Sequence, residues 1–139
     1  MELHGMRVDI SVRKGKIFSI GDDSGKGKTY MCRLLQLIST SSQYKGEILC
    51  LTYEENRTVD SYVGVIESFN GEYIVLDRFE LYYHDDIVRA LREKQNARIL
   101  VDIKTNYYAK KARAYPVCIL RKGEGVEVSE YADVIRRPS

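Results

Sequence analysis

The sequence predicts an α/β fold: one domain spanning residues 1–139, with a mainly parallel sheet layered by helices and antiparallel strands at its edges. Three observations carry that expectation. The short, continuous apolar runs "IFSI", "ILCL", "YIVL" and "RILV" suit strands covered on both faces. Segments with apolar residues at helical spacing lie between them, and the order strand, helix, strand, helix implies parallel pairing. The length of 139 residues is that of a single domain with one substantial core.

Taken in order, "MRVDISV" alternates Val8, Ile10 and Val12 with Arg7, Asp9 and Ser11, the period of a half-buried strand. "RKGK" is a turn, and "IFSI" (17–20) reads as a central strand. In "KTYMCRLLQLIS", Met31, Leu34, Leu35 and Ile38 form one helical face. "GEILCLTYEE" reads as a second buried strand ending in Glu54 and Glu55. "RTVDSYVGVIESF" sets Val59, Tyr62, Val63, Ile66 and Phe69 on one face of a helix that Asn70-Gly71 stops. "YIVLDRF" is a third strand, ending at Asp77; "DDIVRALREKQN" is a helix capped by Asp85 or Asp86; "ARILVDIK" is a fourth strand. Pro116 introduces a fifth, "VCILRKGE", and "VEVSEY" turns back antiparallel to it.

Composition excludes several classes. No apolar stretch reaches the roughly 20 residues that span a bilayer, so no membrane partner is expected. The N-terminus lacks the basic-then-apolar order of a secretory signal, and Cys32, Cys50 and Cys118 are few and widely spaced, which suits reduced thiols and a cytoplasmic location. A net charge of +2 is too mild to argue for nucleic acid without local clustering.

The most specific motif is "SIGDDSGKGKT", between the first central strand and the first helix. Phosphate-binding loops read G-x-x-x-x-G-K-[ST], in which backbone N–H groups wrap a phosphate at a helix N-terminus while the lysine and hydroxyl reach its tail and Mg²⁺. Gly27-Lys28-Thr29 matches the end of that pattern, whereas Gly21 lies one residue too early for the opening glycine: either the loop is one residue longer than usual or Asp22 stands in the glycine's place.

With this loop, the strand "GEILCLTYEEN" ending in glutamates and the strand "YIVLDRF" ending in Asp77, the chain resembles the P-loop NTPases, and within them the RecA-like ATPases. "VRKGKIFSIGDDSGKGKT" also resembles the start of an ABC-type ATPase domain, but Arg78 occupies the place where that family has glutamate, with Glu80 the nearest substitute. The resemblance covers about residues 16–106 and implies a P-loop three-layer fold that binds ATP or another nucleoside triphosphate with Mg²⁺ and hydrolyses it slowly. It assigns nucleotide contacts to Gly21, Asp22, Ser24, Gly25, Lys26, Gly27, Lys28, Thr29 and Tyr30, with Lys28 on the β- and γ-phosphates. Thr29 and Asp77 would serve the metal, Glu54 or Glu55 the attacking water, and Thr105 or Asn106 would sense the γ-phosphate. Asp102 reads either as an alternative metal-side carboxylate or as a buried polar residue. No arginine finger is recognisable, so a protein partner or a second copy would supply one.

A rival reading keeps the scaffold without the chemistry, as a degenerate P-loop fold serving interaction or nucleic-acid binding. Its basis is "KTNYYAKKARAY", where Lys104, Lys110, Lys111 and Arg113 interleave with Tyr107, Tyr108 and Tyr115. Cations among stacking rings suit single strands, and the plainer alternative is a solvated basic loop whose tyrosines pack on the sheet.

Overall fold

The computed structural model describes residues 1–20 and 28–131. Their elements run β1 (Glu2–Leu3), β2 (Met6–Ser11), β3 (Ile17–Ile20), α1 (Lys28–Thr40), β4 (Ile48–Leu51), α2 (Val59–Ser68) and β5 (Tyr73–Leu76). Then come α3 (Asp85–Arg92), β6 (Arg98–Asp102), α4 (Asn106–Lys111), β7 (Tyr115–Lys122) and β8 (Gly125–Glu130). The strands form one curled sheet in the order β1-β2-β8-β7-β3-β6-β5-β4, and β7, β3, β6, β5 and β4 are all mutually parallel. This is a mixed α/β architecture with a mostly parallel sheet.

The apolar runs are strands because both of their faces are covered. Ile74, Leu76, Ile99 and Val101 join α2, α3 and α4 residues in one core, while Val75, Leu100, Phe18 and Ile20 join Met31, Leu34, Leu35 and Ile38 of α1 in another. Successive side chains on a strand point to opposite faces, so each run feeds both cores in alternation. The curl of the sheet carries Val8, Ile10, Val126 and Val128 onto the α1 side.

The connections explain why the helices divide in this way. From β3 the chain travels through α1 to the edge strand β4, then steps back through β5 and β6, and finally passes over β3 to reach β7. Parallel crossovers are right-handed, so opposite directions of travel place their helices on opposite faces. The reversal falls between β3 and β6, neighbours paired Ile17↔Ile99 through Ile20↔Asp102.

Several local expectations change. β4 is the sheet's edge strand, and Leu49 and Cys50 are only half-buried. The N-cap of α3 is His84, whose Nδ1 accepts from the Asp86 N–H at 3.0 Å; Asp85 and Asp86 occupy the first turn instead, where their charge favours the helix dipole. The basic segment forms the short helix α4 rather than a loop. β8 does return antiparallel to β7, but it also pairs in parallel with β2, which the alternating pattern could not reveal.

The far end of β5 is pinned by aromatic packing. The Tyr82 hydroxyl lies 3.1 Å from the Leu51 carbonyl and 3.0 Å from that of Asp77, and its ring stacks on Tyr62 at 4.6 Å. Tyr82→Phe leaves both buried carbonyls without this donor and should lower stability by about 1–3 kcal/mol in urea denaturation.

Candidate functional site

Ligands of open parallel sheets bind beyond the carboxyl ends of the strands, at the point where connections diverge to opposite faces. In this chain that point is the crevice between the ends of β3 and β6.

Lys28 is the first residue of α1, and Asp102 is the last of β6. The Lys28 ammonium sits 2.5 Å from Asp102 Oδ1, and the two side chains are 18% and 3% exposed, so the pair is largely removed from water. The other oxygen, Oδ2, accepts from the Arg78 backbone N–H at 3.4 Å. Arg78 holds a left-handed conformation at φ 47°, uncommon for a non-glycine residue, as the chain turns from β5 into the short 3-10 turn Phe79–Leu81.

Asp77 completes the cluster from the end of β5. Burial above all, then a hydrogen bond to Asp102 and the repulsion of its charge, raise the Asp77 carboxyl above its ordinary range; Arg78 and Lys28 pull it back. The neighbouring Asp102 charge thus disfavours the ionised form of Asp77. Cys32, one turn along α1 from Lys28, has its thiol pushed up to about 12, first by burial and then by the charges of Asp77 and Asp102. It is therefore a packed thiol and not a nucleophile.

The other residues singled out by sequence lie in different settings. Gly21, Asp22, Ser24, Gly25, Lys26 and Gly27 lie outside the described residues, as does the Thr29 side chain. The Tyr30 hydroxyl donates to the Glu124 carbonyl at 2.7 Å, and its ring lies under the Arg121 guanidinium at 4.3 Å, so this tyrosine ties α1 to the β7–β8 hairpin. Glu54 is ion-paired with Arg57 at 2.6 Å, and Glu54 and Glu55 are both exposed beyond the edge strand β4. Thr105 is the N-cap of α4 and Asn106 its first residue; both are exposed.

The basic, tyrosine-rich segment is divided between packing and solvent. Tyr108 stacks on Tyr83 at 4.5 Å and joins the core beneath α4, whereas Tyr107 is 66% exposed and has the Lys111 ammonium 5.7 Å from its ring.

Among the described residues, no group of three or more His, Cys, Asp or Glu side chains converges as a metal cage. Magnesium does not require one, since it typically takes one or two carboxylates and fills its remaining positions with water and phosphate oxygens. The hard oxygens of Asp77 and Asp102 fit that chemistry. No helix of the described residues is long and apolar enough to cross a membrane.

No family model matches the chain, and neither a curated protein nor a solved structure matches it.

The Asp77 shift fixes a pH signature. A carboxyl whose folded-state pKa is raised keeps its proton in the folded chain while the unfolded chain loses it, so its contribution falls as pH rises from the unfolded pKa to the folded one. Asp77→Asn removes that loss. The variant should therefore gain stability relative to wild type as pH rises above about 4, the ordinary aspartate range, and converge with it at the acid end. Urea denaturation across that range checks this: a pH-independent difference would show that the Asp77 carboxyl is not raised.

Proposed function

We propose that the chain binds a nucleoside triphosphate, ATP or a relative, with Mg²⁺ in the crevice between β3 and β6. The observation that carries this reading is Lys28. A lysine heads a helix that follows a central parallel strand, and its ammonium is held against the strand-end carboxylate Asp102, with Asp77 within reach of its charge, at the point where the connections diverge. Such a helix N-terminus favours anions, and the lysine adds a full charge to the helix dipole.

On this reading Lys28 would hold the phosphate tail, and Thr29, Asp77 and Asp102 would supply the oxygens for Mg²⁺. The ion, when bound, neutralises phosphate charge. The chain's own part is to orient the tail along the N-terminal backbone of α1 and to keep the carboxyl pair close to it. Glu54 and Glu55 remain the candidates for orienting water, and slow hydrolysis is the expectation unless a partner chain supplies an arginine. The ion pair of Glu54 with Arg57 supports the slower, binding-dominated reading.

The rival, a scaffold without nucleotide chemistry, is favoured by the closure of Lys28 on Asp102. Titration with a fluorescent ATP analogue separates the two. Lys28→Ala alone would strand the buried Asp102 charge, so the informative variant is Lys28→Met with Asp102→Asn, verified as folded by circular dichroism. Wild type should bind more tightly with Mg²⁺ than without it, and the double variant should lose about 1.5–3 kcal/mol of binding, the scale of a charge-assisted hydrogen bond. Equal affinity in the folded double variant, or no binding by wild type, refutes nucleotide binding and leaves the scaffold.

A further inference from the structure

A second recess lies on the opposite side of the β3 end from α1. Its floor is Ser19 and the stretch of β7 from Pro116 to Leu120, one wall is Ile103 with α4, and Tyr131 stands across from them. The volume is about 770 Å³, within the roughly 300–1,000 Å³ of small-molecule sites. Two features of the chain create it. β7 pairs with β3 only through Phe18↔Tyr115 and Ser19↔Pro116, then runs on to Lys122 against β8, so half of it projects past the end of β3. The facing residues on and just after α4 are Ala109 and Ala114, too small to fill the gap.

The lining has a definite chemical character. Ile103 and Leu120 supply an apolar surface, Asn106 and Ser19 supply hydrogen-bonding groups, and half-exposed Tyr131 offers an aromatic edge. Among the described residues the lining carries two cations, Lys104 and Lys110, and no carboxylate. Lys111, outside the recess, is by contrast engaged with Asp85 at 3.9 Å.

We propose that this recess is a binding site for a small organic anion, a phosphate monoester or carboxylate with an apolar or aromatic body. The body lies on the β7 floor against Ile103 and Leu120, and the anionic group sits between Lys104 and Lys110. Inorganic anions would forgo the apolar floor, and neutral aromatics would forgo the lysines. The site is distinct from the Lys28 crevice and does not depend on nucleotide binding there.

The test uses the full isotope-labelled chain, without nucleotide or Mg²⁺, titrated with naphthyl phosphate, naphthol and inorganic phosphate and followed by amide NMR shifts. Naphthyl phosphate should give saturable shifts at Ser19, Lys104, Asn106, Cys118 and Leu120. Naphthol and inorganic phosphate should each bind at least about tenfold more weakly, because each lacks one half of the recognition. Lys104→Ala with Lys110→Ala changes two exposed side chains, so it should leave the fold intact and weaken naphthyl phosphate by about tenfold or more. Scattered shifts, undiminished binding by the double variant, or equal affinity for naphthol would overturn the proposal. So would displacement of naphthyl phosphate by ATP from these same residues, which would make the recess part of the nucleotide site. Failure of ATP to bind at all leaves the naphthyl phosphate result standing, so the two readings fail separately.

Discussion

Asp102 ends a central strand with a carboxylate that solvent barely reaches, and a buried charge of that kind persists only if it is answered. Lys28 answers it from the first residue of α1. Breaking such a pair from one side costs about 3–5 kcal/mol, whereas replacing both partners with apolar groups is often neutral. The pair therefore contributes little that packing could not. What it does fix is position: the start of α1 is held against the end of β6, across the crevice where the connections separate.

Asp77 makes the charge balance incomplete. Two carboxyls face one ammonium, so the cluster carries a net negative charge unless it takes up a proton or another cation. The burial and the Asp102 charge that raise the Asp77 carboxyl favour the first solution. Under the nucleotide reading Mg²⁺ is the second, and the two solutions compete for the same oxygens. Phosphate and Asp102 would likewise compete for one ammonium. Under that reading a cation on the carboxyl pair would lower its hold on Lys28 and free the lysine for the phosphate tail, tying anion binding to metal binding.

The strands and long helices were legible because their signals are local. "IFSI", "YIVL" and "RILV" declare two-sided burial by composition alone, and the spacing of Met31, Leu34, Leu35 and Ile38 declares the buried face of α1. What failed to show depends on partners far away in sequence. β4 reads like β5, yet it lies at the edge, because the number of neighbours a strand acquires is a property of topology. His84 is a less usual cap than the aspartates that follow it, and only the geometry of its ring nitrogen reveals the role. In the candidate site, Lys28 and Asp77 stood out through motif position. Asp102 carried a weaker signal, a charged residue closing an apolar run, and its pairing with Lys28 spans a separation no local pattern encodes. Glu54 looked like a strand-end acid, but Arg57 three residues later was equally visible as an ion-pair partner at helical spacing.

The same reversal of connections that assembles the Lys28 cluster also leaves the recess beside α4. At a switch point, adjacent strands send their helices to opposite faces, and neither helix covers the gap between strand ends. On the α1 face the gap is closed by charge, Lys28 meeting Asp102. On the other face the described residues leave it open, because α4 is a short helix backed by alanines and β7 outruns its neighbour. Filling that space from the described residues would require either a longer α4 or larger side chains at 109 and 114, and both changes would bury Lys104 or Lys110 without a carboxylate among the described lining residues to meet them. The openness of the recess and its positive lining are thus one constraint, and an anion with an apolar body is the kind of molecule that satisfies both.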